Sequence, residues 1–413
     1  MRRLLALALT SCIFVPISAS GESHFKVTKL TPNLHMLSTD QGEYTTNTLV
    51  FFGEDGLLLV DTQTEAEARE LKELVDSYGK GTPKYIINTH RHVEHIGGNA
   101  IFGVEPIVIA HELFPSKLRS GSHIFNEYPP ATFPDITVSG KLTLNFNGES
   151  IEIIPMGGSH DDNELIVFFT KSKVVHLSSL ANGFNFPSVD KDGDVLMFAP
   201  LVAKALEMLP KDVVIVSGHN DTGTWDDLLA YHKMLLETTE IVRKGLAEGK
   251  SLATLQEEKA LAKWEAYAGS YVSPNEWLEY LVKGIQTGKD HRPGPYVPIY
   301  HEWKNRGAAA AVALFRELKR DHADEYSFGE SVLLQIGDKL YEKNRLPDAI
   351  LFLKASLEEY PEGKYNYYIH YELADAHKQL GDKKLAMQYC EKSLELNPDF
   401  DAAKALLEEL RKN

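Results

Sequence analysis

The sequence predicts an α/β domain followed by an all-α domain of helical repeats. Short apolar runs rich in β-branched and aromatic residues alternate with helical spacing through the first two thirds of the chain. A histidine-rich segment directly follows one of these runs. Beyond a proline-containing stretch the pattern turns purely helical and repeats itself.

The chain has 413 residues, enough for two or three domains with their own cores. Its formal net charge of -16 argues against nucleic-acid binding and for solubility. Met1-Arg2-Arg3 leads into an apolar run ending at Ile17 and then Ser18-Ala19-Ser20, the layout of a secretory signal. We assign 1–20 to it and expect a periplasmic or secreted protein. The run is shorter than the ~20 apolar residues of a membrane span, so none is expected. Leu9-Thr10-Ser11-Cys12 also resembles a lipoprotein cleavage box; because the apolar run continues past Cys12, lipid anchoring is the lesser alternative. Cleavage would remove Cys12 and leave Cys390 alone, without an intrachain disulfide.

Residues 25–30 and 34–38 alternate apolar and polar positions as strands do, and 46–52 and 57–60 flank a Gly-Glu-Asp-Gly hairpin signal. Asp61 ends the last of these. Thr64 to Glu67 is a capping-box pattern, followed by Leu71, Leu74, Val75 and Tyr78 at helical spacing. Residues 84–88 form the strand that feeds Thr89-His90-Arg91-His92-Val93-Glu94-His95-Ile96-Gly97-Gly98. His90 and His92, two apart, point the same way in an extended segment. Glu94 and His95 are adjacent and cannot both aim there too. Two neighbouring metal positions satisfy all four side chains, and imidazole and carboxylate donors without a thiolate suit a catalytic zinc site.

This segment resembles the metallo-β-lactamase superfamily motif His-x-His-x-Asp-His-x-Gly-Gly, with Glu94 in place of the Asp. The resemblance implies an αββα metallo-β-lactamase sandwich over residues 21–288. It also implies two further ligand histidines on later loops, and a supporting role for Asp61 beneath the metal loop; a plain turn or cap role for Asp61 is an equal reading. His160, in Gly157-Gly158-Ser159-His160-Asp161, falls where the third ligand of the first metal is implied. His219, in Ser217-Gly218-His219 after the strand 213–216, falls where the last ligand is implied. Ser179 occupies the position of the metal-bridging Asp. Together Glu94 and Ser179 predict a weaker second site.

Between these positions, 107–110 reads as a strand. Residues 113–134 form a long polar and aromatic loop, of a length that carries substrate contacts or is a disordered insertion. Residues 141–146 and 149–155 form a hairpin through Asn147-Gly148, and 165–169 and 174–177 are strands. Helices are expected at 198–209 and from 225 to about 284, with breaks near Gly249 and Ser273. Residues 289–306, with three prolines, read as an ordered linker. Gly337, Ala349, Ser356 and Pro361 then recur 37 positions later as Ala374, Ala386, Ser393 and Pro398. Small residues at fixed offsets with a closing proline resemble tetratricopeptide repeats, so 307–413 is assigned to such a domain. With so few repeats, docking onto the sandwich is favoured slightly over a groove for a protein partner.

These readings lead to an exported, zinc-dependent hydrolase with two zinc ions. His90, His92 and His160 hold the first and Glu94, His95 and His219 the second. A zinc-held hydroxide would attack an ester, lactam or similar bond, and Glu94, the catalytic residue, would orient the hydroxide or shuttle its proton. Without a bridging carboxylate the site stays net positive, which favours a small anionic substrate. The alternative is a binding or adaptor protein with a weakened metal site, in which the repeats carry the function.

Overall fold

The computed structural model describes residues 24–39, 45–269, 272–288 and 292–412. The apolar segment read as a secretory signal, with Cys12, lies outside them.

Two sheets stack face to face. The first runs in chain order: β1 (Phe25–Thr31), β2 (Leu34–Thr39), β3 (Asn47–Phe52), β4 (Leu57–Val60), β5 (Tyr85–Ile87), β6 (Ile107–His111) and β7 (Ile136–Val138). Its first four strands are an antiparallel meander; from β4 to β7 the pairing is parallel. The second holds β8 (Leu142–Phe146), β9 (Glu149–Pro155), β10 (Leu165–Phe169), β11 (Val174–His176), β12 (Val214–Val216) and β13 (Gly223–Thr224), also in sequential order. Here only β11 and β12 are parallel.

The period of two along each strand sorts side chains between layers. Leu49 and Phe51, Leu58 and Val60, and Ile87 face Ile151 and Ile153, Leu165, Val167 and Phe169 across the interface between the sheets. The intervening Val50, Leu57, Leu59 and Ile86 pack outward against Leu71 and Val75 of the helix Ala68–Ser77. On the other outer face, Ile166, Phe168, Val175 and Ile215 meet the helices Phe198–Met208, Trp225–Ala247 and Pro274–Thr287. Strands buried on both faces read as continuous apolar runs, as these do. The layers are therefore helix, sheet, sheet, helix. Each large apolar side chain buried here stabilises the fold by roughly 1.5–3 kcal/mol, whereas the many exposed ion pairs contribute about 0–1 kcal/mol each.

The C-terminal part is helical throughout, from Tyr296–Arg306 to Asp401–Lys412. Of the stretch read as a linker, the second half is a helix that shares a core with Ala308–Asp321 through Tyr296, Ile299, Trp303, Ala311 and Phe315. Pro298 is tolerated because it lies in the first turn, where the N–H has no partner to lose. The small residues of the repeat sit where helices touch. A side chain at Gly337 would collide with Leu353, and Ala374 and Ala386 are fully buried. The helical part docks on the sandwich through Phe125, which enters its first core.

Candidate metal centre

The loops that follow β4, β5, β11 and β12, and the turn between β9 and β10, gather at one edge of the sandwich. Three of them leave their strands through a left-handed residue: Asp61 (φ 64), Ser178 (φ 55) and Asn220 (φ 62). Such backbone costs of order 1–3 kcal/mol per residue and persists only where the surroundings enforce it. Asn47 on β3 supplies part of that enforcement. Its amide donates to the carbonyls of Ser217 (2.9 Å) and Asn220 (2.8 Å), tying the first sheet to the end of β12. Gly98 lets the helix Val93–Ile96 lie against the turn after β4, since a Cβ there would stand 2.2 Å from the Thr62 carbonyl.

The six sequence-predicted donors come together as two groups, His90 with His92 and His160, and Glu94 with His95 and His219. Within each group the donor atoms lie within 4.8 Å of one another. The His90 and His95 rings are 4.3 Å apart, so the groups are neighbours. His90 and His95 are fully buried, whereas the side chains of His92 and Glu94 remain 19% and 31% exposed. The open side of the centre is therefore theirs.

Every histidine is oriented from behind. His160 Nδ1 donates to the Ser188 carbonyl (2.9 Å) and His219 Nδ1 to the Thr45 carbonyl (2.9 Å). His95 Nδ1 bonds Asp61 Oδ2 at 2.7 Å, and Asp61 also accepts from Thr89 N–H (2.8 Å) and Thr89 Oγ–H (2.7 Å). Both readings of Asp61 are thus met at once: it ends a strand and it orients a histidine. Thr89 Oγ, having donated to Asp61, accepts from His90 Nδ1 at 3.2 Å. His92 is reversed, with Nε2 bonded to Asp190 at 3.1 Å. The inward atoms of the first group are then His90 Nε2, His92 Nδ1 and His160 Nε2. These outward bonds fix the tautomer and raise the basicity of the inward nitrogen.

The electrostatics suit a cation. Burial, then the other imidazoles, hold His90 well below its ordinary value. Burial and His92 bring His160 down to about 3, and burial and His95 bring His219 to about 4. These are neutral donors. His92 differs: burial lowers it, but Asp190 and Glu94 prevail and raise it to about 9. Burial opposes ionisation of Glu94, yet His92, His95 and His219 hold it at about 2. In the first group His92 Nδ1 lies only 3.0 Å and 3.2 Å from His90 Nε2 and His160 Nε2. A tetrahedral ion with metal–nitrogen bonds of about 2.0–2.1 Å spaces its ligands by roughly 3.3 Å. In the second group, buried His95 Nε2 has no hydrogen-bond partner among the described residues. Both observations fit a metal pair.

Several residues at the centre have no clear signal in the sequence. Arg91 is buried between Asp161 (3.0 Å), Asp190 and Asp192 (3.1 Å). Lys117 pairs with Asp162 (2.6 Å) and Asp192 (2.9 Å). This cluster lies beside His92, and its two cations occupy the acidic groups. His123 also stands here, its ring parallel to His92 at 6.3 Å. Ser179 is buried at the end of β11. Its N–H donates to Glu164 (3.2 Å) and its Oγ has no partner among the described residues.

Residues 42–219 match the family model described as "Metallo-beta-lactamase superfamily", and residues 367–400 match "Tetratricopeptide repeat". Among solved structures, the chain is similar to a metallo-beta-lactamase from Pontibacter korlensis at 21% identity. That match covers 51% of this chain and 99% of the other, with a TM-score of 0.45. It is also similar to a stereoselective inverting sec-alkylsulfatase from Pseudomonas sp. at 16% identity. There the match covers 90% of this chain, with a TM-score of 0.53, and spans 65% of the length of that protein.

Proposed function

From a chain that carries a metallo-beta-lactamase superfamily domain followed by a tetratricopeptide repeat, we propose an exported, zinc-dependent hydrolase acting on an ester-type bond of a small anionic substrate. The observation that carries this reading is the pair of adjacent three-donor groups, with every histidine bonded from behind. His90, His92 and His160 would hold one ion, and Glu94, His95 and His219 the other. Nitrogen and oxygen donors without sulfur suit zinc. Bound there, the ions supply the Lewis acidity that makes a water nucleophilic near neutral pH.

The chain's own groups do the rest. Glu94, ionised and partly exposed beside the open face, would orient the attacking water or shuttle its proton. Asp190 keeps His92 oriented. Ser179 adds no carboxylate, so the centre keeps more positive charge for an anionic substrate. Export rests on the apolar N-terminal run after Met1-Arg2-Arg3.

The test is metal analysis of the purified protein, followed by a panel of sulfate, phosphate and carboxylate esters and a lactam, with and without chelator. About two zinc ions per chain and chelator-sensitive turnover are expected. Sulfate esters come first, because a neighbour that covers 90% of this chain is an alkylsulfatase. Absence of bound metal together with absence of turnover would overturn the proposal and leave the repeats as the working part.

A further inference from the structure

The loop 113–134 belongs to the sandwich domain, yet its middle is held from both sides. On one side Phe125 is almost fully buried in the helical part, 5.4 Å from Tyr300 and 5.6 Å from Trp303 between ring centres. Next to it the Glu127 carboxylate accepts from Tyr300 Oη–H (2.9 Å) and Lys304 Nζ (2.6 Å). Glu127 itself adopts a left-handed φ of 49, so the chain reverses there only under constraint. On the other side the loop faces the open rim of the metal centre, where His123 lies parallel to His92.

A short hydrogen-bond chain fixes His123. The Asn126 amide donates to Tyr128 Oη at 2.6 Å, and Tyr128 Oη is hydrogen-bonded to His123 Nδ1 at 3.1 Å. When the Tyr128 hydroxyl donates this bond, the imidazole proton is carried by Nε2, which makes no hydrogen bond among the described residues. His123 lies in the turn Gly121–Asn126, which packs against the helix Ser331–Glu342, and its ring faces His92. The turn therefore stands between His92 of the metal centre and the helical part.

We infer that His123, aligned by Tyr128 and Asn126, is a substrate-positioning residue that donates its Nε2–H to an oxyanion group of the substrate, and that the helical part holds it in place through Phe125. The inference rests on the hydrolase reading for what the substrate is, but not for the presence of a donor at this place. It gives the helical part a role inside the site: without it, the loop that completes the rim has nothing to seat against.

The experiment is calorimetric binding of inorganic sulfate to the zinc-treated full chain and its variants, with metal content measured in each. His123→Ala and Tyr128→Phe should each weaken sulfate binding about tenfold, the effect of one lost hydrogen bond. His123→Gln should recover part of it, because its amide restores an N–H donor. Phe125→Ala should show the same weakening with faster amide exchange over 121–128. Lys304→Met, which loosens the clamp without opening a cavity, should do so more mildly. Metal content should not change in any of them. Equal sulfate affinity in His123→Ala and the parent, or no sulfate binding by the parent, would overturn the positioning role. Unchanged affinity in both Phe125→Ala and Lys304→Met would overturn the bracing role. Because the readout is anion binding, failure to turn over any ester would count against the hydrolase reading alone.

Discussion

The substitution Asp61→Asn tests whether the second metal position is built from behind. Asp61 is fully buried and accepts three hydrogen bonds, two of them at Oδ2, from Thr89 Oγ and His95 Nδ1. The new amide can keep the bond from Thr89 N–H through its carbonyl, but it presents an N–H where Oδ2 stood. Two donors then face each other, and His95 can relieve the clash only by moving its proton from Nδ1 to Nε2, the atom it would offer to a metal. Loss of such an orienting partner weakens metal affinity by about 10–100-fold, equivalent to roughly 1.4–2.8 kcal/mol. The metal-free fold should lose a further ~1.5–3 kcal/mol for the hydrogen bond to the charged group. Zinc titration against a chromogenic chelator resolves the two affinities. The weaker step should fall about 10–100-fold and the tighter step less, since of its three donors only His90 is linked to Asp61, indirectly through Thr89, while His92 and His160 are held by Asp190 and the Ser188 carbonyl. Two affinities at parent values, or two that fall equally, would refute the claim that Asp61 acts through His95.

Two other variants probe the charges around the centre. Arg91→Met removes the cation from between Asp161, Asp190 and Asp192 and leaves the fully buried Asp161 carboxylate without its charged partner. Urea unfolding should show a loss of about 3–5 kcal/mol, and a loss under about 1 kcal/mol would mean the cluster is screened by solvent. Glu164 is fully buried, and burial, then Asp161, push its carboxyl from 4.5 up to about 8. A carboxyl raised in the folded state stabilises fully below its unfolded value, and that contribution is lost as pH rises through the folded one. The urea midpoint should therefore fall between about pH 5 and pH 9. Glu164→Gln should flatten that slope and be the more stable form at the alkaline end; coincident profiles would count against the assignment.

What the sequence makes legible here is whatever a short stretch of chain must do alone. His90, His92, Glu94 and His95 lie within six positions, and the glycines after them are needed for local packing, so the pattern survives without a partner in view. His160 and His219 can be found because each follows an apolar strand through small residues, a local signal completed by the first motif. Arg91 shows the limit. Its position in the motif is plain, but its three carboxylate partners stand 70 to 101 residues away. Asp190 and Asp192, in Asp190-Lys191-Asp192-Gly193, carry no motif that pairs them with Arg91. Gly193 closes a turn on the Asp190 carbonyl, and a Cβ there would press on the Ser159 and His160 carbonyls. His123 is harder still, an isolated histidine in an irregular loop whose position depends on Phe125 entering a core formed by helices more than 170 residues later. The three prolines of 289–306 conceal a helix for the opposite reason: Pro298 falls at the one end of a helix where a missing N–H costs nothing. Side chains that meet across long sequence separations are set by packing between layers, and packing partners leave no local periodicity to read. The donors of the centre are therefore written in the chain one loop at a time, and the groups that orient and enclose them emerge only when the layers close.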